Sequence, residues 1–167
     1  AVGVDRIVAE AKVAKMTLYS YFPSKEDLIL EFLETTKKAW LTSFHQYLNS
    51  KAQNDFDRLS LSFSYLRQLF DQSEYFRGNA FTNASTELSD PLHPAHHIIL
   101  DFQEDLRSCF EQWAFNSKLT NCRQLSYSLL LLFQGASTSA IIEDFPEPIK
   151  HAADCANQLI ELHRSIP

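Results

Sequence analysis

Apolar residues recur at intervals of three and four along most of the chain, the spacing that lines one face of an α-helix. No sustained alternation of apolar and polar positions competes with it. Ser24 followed by Lys25-Glu26-Asp27 reads as a serine N-cap with acids in the first turn. A helix is therefore predicted from there to about Tyr47, with Leu28, Phe32, Thr36, Trp40 and Phe44 on its core stripe. Phe56, Leu59, Phe63, Leu66 and Phe70 predict the next helix. Arg77 to Leu88 forms a short one, closed by Ser89-Asp90-Pro91. Beyond Pro94 the series Ile99, Phe102, Leu106, Cys109 or Phe110, and Trp113 predicts a long amphipathic helix. Thr120-Asn121 opens another from about Cys122 to Glu143, and Pro146 and Pro148 separate it from a last helix up to Arg164. The predicted fold class is all-α.

Before Ser24 the pattern changes. Gly3 precedes a short helix, Val4 to Ala11, with Ile7, Val8 and Ala11 on one face; Lys12-Val13-Ala14 is the turn. A second short helix runs from Lys15 to Phe22 and is stopped by Pro23. Two helices of two turns joined by three residues have the dimensions of a helix-turn-helix. Helices this short are unstable alone and must pack on something.

Composition narrows the classes. The 167 residues contain only 3 Gly and 6 Pro, too few for the turns of an all-β architecture. Leu129 to Phe133 is the longest strongly apolar run and is too short to span a bilayer, so no membrane association is expected. The three cysteines, Cys109, Cys122 and Cys155, are scattered without a C-x-x-C, which suits reduced thiols and a cytoplasmic location. The net charge of −6 is unevenly placed. Arg6, Lys12, Lys15 and Lys25 against Asp5 and Glu10 give residues 1–25 a net +2, which leaves −8 for the rest. A small basic head on an acidic body can still meet a phosphate backbone, because screening limits each charge to about 10 Å.

The stretch Asp5-Arg6-Ile7-Val8-Ala9-Glu10-Ala11-Lys12-Val13-Ala14-Lys15-Met16-Thr17-Leu18-Tyr19-Ser20-Tyr21-Phe22-Pro23-Ser24-Lys25-Glu26-Asp27-Leu28 resembles the DNA-binding signature of the TetR family of bacterial transcriptional regulators. Thr17-Leu18-Tyr19 and Tyr21-Phe22-Pro23-Ser24-Lys25-Glu26-Asp27-Leu28 carry the resemblance most strongly, and Arg77 to Ala84 and Asp90 to Pro94 look like segments of one subset of that family. The resemblance implies a partial DNA-binding domain over residues 1–27 and a ligand-binding and dimerisation domain over 28–167. It also implies a pseudo-palindromic double-stranded operator, a small-molecule effector, a homodimer and a repressor's action. Four positions depart from the family pattern: Lys12 stands at a customary glycine in the turn, Met16 at a customary glycine near DNA, and Val2-Gly3 at a customary pair of threonines. The family's preceding helix has no counterpart before Ala1, and we expect the natural chain to begin upstream.

By that resemblance Ala14, Lys15, Met16, Thr17 and Tyr19 lie on the outward face of the recognition helix. Physically, Lys15 and Lys25 suit phosphate pairing, and the Thr17 and Tyr19 hydroxyls suit phosphate oxygens. Met16 or Ala14 suits a thymine methyl, and Lys15 alternatively a guanine edge. Leu18, Val13, Ile7 and Phe22 read as the core of the motif.

The remaining constellations are weaker. His93, His96 and His97 near Asp90 and Glu87 have ligand chemistry, but Pro94 interrupts them and helix-start roles suit them better. Cys109 falls on an apolar stripe and reads as a buried small hydrophobe. No catalytic motif, metal set or cofactor-binding loop is present, so neither enzyme activity nor a cofactor is expected. Phe63, Tyr65, Phe76, Phe81, Phe102, Phe110 and Trp113, with Asn79, Asn83 and Gln103 as polar handles, are the candidate lining of an effector pocket; core packing is the competing reading for each. Leu129, Leu132, Phe133, Ala136 and Ala140, with Ala152, Ala156, Leu159, Ile160 and His163, are expected to form a two-helix dimer surface. A helical protein-binding module that has lost DNA binding is the alternative function, and a metal- or redox-sensing regulator is the other.

Overall fold

Local signals place the helix ends. The Ser24 hydroxyl accepts from the Asp27 N–H at 3.1 Å while the Asp27 carboxylate accepts from the Ser24 N–H at 3.0 Å. This reciprocal capping box satisfies two otherwise orphaned donors and opens a 27-residue helix. Asn54 caps the next helix through the Asp57 N–H at 2.9 Å. In the computed structural model, which describes residues 3–88, 90 and 92–164, eight helices follow one another among the described residues. They are α1 Val4–Ala11, α2 Lys15–Tyr21, α3 Lys25–Lys51, α4 Asp55–Gln72, α5 Ala80–Glu87, α6 Ala95–Asn116, α7 Cys122–Glu143 and α8 Glu147–Leu162. Two helices differ noticeably from their expected limits: α3 runs one turn past Tyr47, and α5 starts three residues after Arg77. Val2, Ser89 and Pro91, which entered the sequence readings, lie outside the described residues.

Helices α4, α6, α7 and α8, with the C-terminal half of α3, enclose the main core around Phe44, Phe63, Tyr65, Phe110, Leu129 and Phe133. A smaller cluster of Leu33, Phe81, Ile98, Ile99 and Phe102 joins α3, α5 and α6. Helix α3 thus links the small head (α1, α2) to the body, and the expected domain limit after Asp27 falls inside its first turn. By length and composition α7 could cross a membrane, with a mean hydropathy of 1.4 over its most apolar 18 residues. In the structure it packs between α6 and α8 as the central helix of the core.

The expected core stripe of α3 is corrected over its first two turns. Leu33 is buried, whereas Phe32 is 59% exposed. Both sequence and spacing allow either register; α5 and α6 meet the side that carries Leu33. The head is also less enclosed than expected. Ile7, Leu18 and Phe22 are only half-buried and Val13 is exposed, since two helices of 8 and 7 residues are too short to surround them.

Gly78 lies in the left-handed region (φ +65°) in the link between α4 and α5. A Cβ there would lie 2.3 Å from the Ile141 Cδ1 of α7. A side chain at that position would force Ile141 to shift as well as strain the backbone.

Candidate nucleic-acid interface

The two head helices meet at a turn that Lys12 closes in the left-handed conformation (φ 54°, ψ 38°), with its N–H donating to the Val8 carbonyl. A glycine would adopt this backbone freely; lysine does so with strain, but the turn forms. Ala14 is the N-cap of α2 and supplies no side-chain bond, so the α2 N-terminal N–H groups keep free capacity.

Lys15, Met16, Thr17 and Tyr19 are all exposed on α2, and Met16 is 83% accessible. Ala14 is exposed beside them. Lys25, the first residue of α3, is half-buried and lies near the head rather than on α2. Tyr21, absent from the expected contact residues, is a further exposed hydroxyl-bearing ring on the same helix. Among its described residues the head carries two ion pairs. Arg6 pairs with Glu10 within α1 at 2.8 Å, and Lys15 Nζ reaches across to Asp5 of α1 at 2.7 Å. Asp5 holds the Lys15 ammonium in its charged form and raises its pKa, first through the hydrogen bond and then through charge. This partnership spans ten positions, so helical spacing gave no sign of it.

The first 32 residues match the family model described as bacterial regulatory proteins, tetR family. The whole chain is similar in fold to a TetR-family transcriptional regulator from Streptomyces coelicolor, at 26% identity and a TM-score of 0.86, covering 98% of this chain and 86% of that one. The head matches the family model, and the whole chain shares the fold of a TetR-family regulator. It is likewise similar in fold to NemR of E. coli in its reduced form (24% identity, TM-score 0.84, covering 94% of this chain and 85% of that one). The regulatory protein TetR from Rhodobacter sphaeroides has the same fold at 20% identity and a TM-score of 0.84, covering 95% of this chain and 87% of that one. No curated protein sequence matches the chain significantly. These likenesses support a DNA-binding transcriptional regulator.

The aromatic side chains of the expected effector lining pack on other side chains in this chain. Phe63, Tyr65, Phe81, Phe102, Phe110 and Trp113 are all buried, and they pack on other side chains. Phe63 meets Phe133 at 5.7 Å between ring centroids, Phe110 meets Trp113 at 6.0 Å, and Phe102 sits between Trp40 and Phe81 at 5.0 and 4.0 Å. Phe76, half-buried, packs on Phe70 at 5.1 Å. The expected polar handles serve the fold. The Tyr65 hydroxyl pairs with Ser43, and burial raises its pKa. Asn79 caps α5 by accepting from the Phe81 N–H at 2.8 Å, and Asn83 donates to the Arg77 carbonyl at 2.9 Å. Gln103 is half-buried on α6. Mutual burial of the rings gains more than an empty interior would, which is why an aromatic surplus need not signal a pocket. Open space lies instead in a cleft of about 430 Å³ between head and body, with Ile7, Lys25 and Phe32 on one wall and Arg77, Asn83 and Glu87 on the other.

Most residues of the expected dimer surface face the chain's own core. Leu129, Phe133, Ala136, Ala140, Ala152, Ala156 and Ile160 are buried inside the chain, while Leu132, Leu159 and His163 are half-buried. Helix α7 is apolar on more than one side, and α4 and α6 take the side that carries Leu129 and Phe133. The outer side of α7 and α8 forms a groove of about 530 Å³ lined by Leu131, Leu132, Cys155, Leu159 and Leu162, with Leu131 67% exposed.

The histidines near Asp90 act at the start of α6. His93 Nδ1 accepts from the Ala95 N–H at 3.1 Å, and His96 Nε2 lies 2.9 Å from the Leu88 carbonyl. Cys109 is half-buried beside His45, its Sγ 3.9 Å from the imidazole. Burial, with the Asp105 carboxylate, pushes its thiol up to about 11, far from the low pKa of a reactive sensor. Arg107 bonds Glu104 and Glu111 on α6 and meets Ser126 of α7 at 3.4 Å, so its charge is satisfied inside the helix pair.

Proposed function

We propose that the chain is a TetR-family repressor that binds a pseudo-palindromic operator as a cytoplasmic homodimer and leaves it when a small, largely apolar effector binds. In this reading residues 1–27 meet the DNA, and residues 28–167 carry the effector and dimer contacts. The observation that carries it is the outward face of α2, where Lys15, Met16, Thr17 and Tyr19 are exposed together while the opposite side packs on α1. That arrangement suits a helix entering a major groove with donors toward phosphates and an apolar side chain toward base edges. The exposed leucines of α7 and α8 support an isologous two-fold contact, which would set two heads at a fixed spacing. The cleft between head and α5 supports an effector site there, because a molecule in it touches Lys25 and Phe32 of the helix that leads out of the head. An effector shifts the operator equilibrium only by its preference for one state, a few kcal/mol for a usable switch.

Selection from a random duplex pool, followed by fluorescence anisotropy across a salt series, tests the reading. Lys25→Ala should weaken every duplex about equally and reduce the salt slope by about 1, as loss of one phosphate contact does. Met16→Ala should change the recovered sequence instead. Retention of no duplex by the dimer would overturn the reading.

A further inference from the structure

The turn of the helix-turn-helix places a lysine in the left-handed region. Lys12 has φ 54° and ψ 38°, and its N–H donates to the Val8 carbonyl at the end of α1. A long side chain holds this backbone under strain, whereas glycine and asparagine adopt it more easily. The charge carried at this strained position is also unengaged. Arg6 is paired with Glu10 at 2.8 Å, Lys15 with Asp5 at 2.7 Å, and Lys25 is half-buried at the cleft between head and body. Lys12 is exposed and, among the described residues, has no carboxylate partner.

We infer that Lys12 is a further DNA-binding residue, whose ammonium meets a backbone phosphate at the edge of the groove that α2 enters. This rests on the DNA-binding reading of α2. In a docked helix-turn-helix the first helix crosses the phosphate backbone and the N-terminal residues of the second contact base edges. Lys12 closes the turn between those two helices, three positions before Lys15. Its flexible stem lets the ammonium reach the phosphates that run beside that turn. Lys12 gives up no ion pair on binding, so the gain from released counter-ions is kept in full. The contact carries no sequence information and strengthens operator and arbitrary duplex alike. Backbone strain of this kind persists where a site uses it, and here the side chain that holds DNA is the one that strains the turn. Folding and DNA binding therefore respond to its removal with opposite signs.

The test uses the full chain, a random-sequence duplex and the duplex recovered by selection, with anisotropy across a salt series and a melting temperature for each variant. Lys12→Gly should raise the melting temperature, because glycine closes the turn without strain. The same variant should lose affinity about threefold to tenfold for each bound head at about 0.1 M salt, equally on both duplexes, and its salt slope should fall by about 1 per head. Lys12→Asn, which tolerates the left-handed turn but carries no charge, should lose the same affinity and slope. Lys12→Arg should keep both. Wild-type affinity and slope in Lys12→Gly and Lys12→Asn would overturn the inference while the DNA-binding reading stands. So would a loss seen in Lys12→Gly but not in Lys12→Asn, which would belong to the backbone of the turn and not to the charge. A wild-type chain that retains no duplex would overturn both.

Discussion

Phe81 lies flat on Phe102, their ring centroids 4.0 Å apart and their planes within 18°. The stack fastens the eight-residue α5 to α6, and Trp40 of α3 closes the other side of Phe102 edge-on at 5.0 Å. Phe102 is therefore a keystone of the smaller core cluster, shared by three helices.

Its removal should show as lost stability. Phe102→Ala is expected to destabilise the protein by about 3–5 kcal/mol, the usual cost of emptying a buried phenylalanine site. Phe32→Ala, at a residue mostly in solvent, should stay within about 0.5 kcal/mol. Urea denaturation of both variants checks this. A Phe102→Ala protein as stable as wild type would mean that the ring lines a space instead of filling the core.

Gly78 should resist substitution for two separable reasons. Its φ of +65° is one that a residue with a Cβ adopts only with strain, and the Cβ itself would lie 2.3 Å from Ile141 Cδ1. Gly78→Ala is expected to cost about 1–2 kcal/mol from the backbone alone, with more from the contact. Ile141→Ala should relieve the contact and leave the backbone part, so a double-mutant cycle measured by denaturation midpoints should show a favourable coupling.

The two faces of α7 and α8 should respond differently to charge. Leu131→Glu and Leu162→Glu, on the exposed groove, are expected to give folded monomers by light scattering with unchanged circular dichroism. Ala156→Arg, at a fully buried position, should unfold the chain instead of splitting a dimer. A Leu131→Glu protein of dimer mass would move the interface off this groove.

His45 should make the fold acid-sensitive. Burial, with a smaller effect of the Arg58 charge, lowers its pKa below the ordinary 6.5. It sits among Phe44, Trp113 and Cys109. A folded-state pKa below the unfolded one means that the unfolded chain binds more protons below pH 6.5, so stability rises with pH in that window. His45 should thus contribute fully above about 6.5, and its contribution should decline as pH falls below that value. Melting temperatures of wild type and His45→Gln should converge or cross as the pH is lowered; parallel profiles would exclude the effect.

Helix positions were legible in the sequence because the signals that set them are local. The Ser24 capping box, the stop at Pro23 and the span of α7 from Cys122 to Glu143 depend on residues within a turn of each other. The helix-turn-helix was legible for the same reason, down to the three-residue turn that Lys12 closes in a conformation suited to glycine. Which side of each helix faces inward was decided only by tertiary packing. A period of 3.6 residues groups Leu129 with Phe133 on one side, but it names no partner for that side. In α7 the apolar surface is wide enough for two contacts; α6 and α4 took the first and left Leu131 exposed. The aromatic rings show the same limit, since composition counts them but only their packing determines whether they surround a space or fill it. The Lys15–Asp5 pair belongs here too. Its members are ten residues apart on different helices, and only the angle at the Lys12 turn brings ammonium and carboxylate within 2.7 Å.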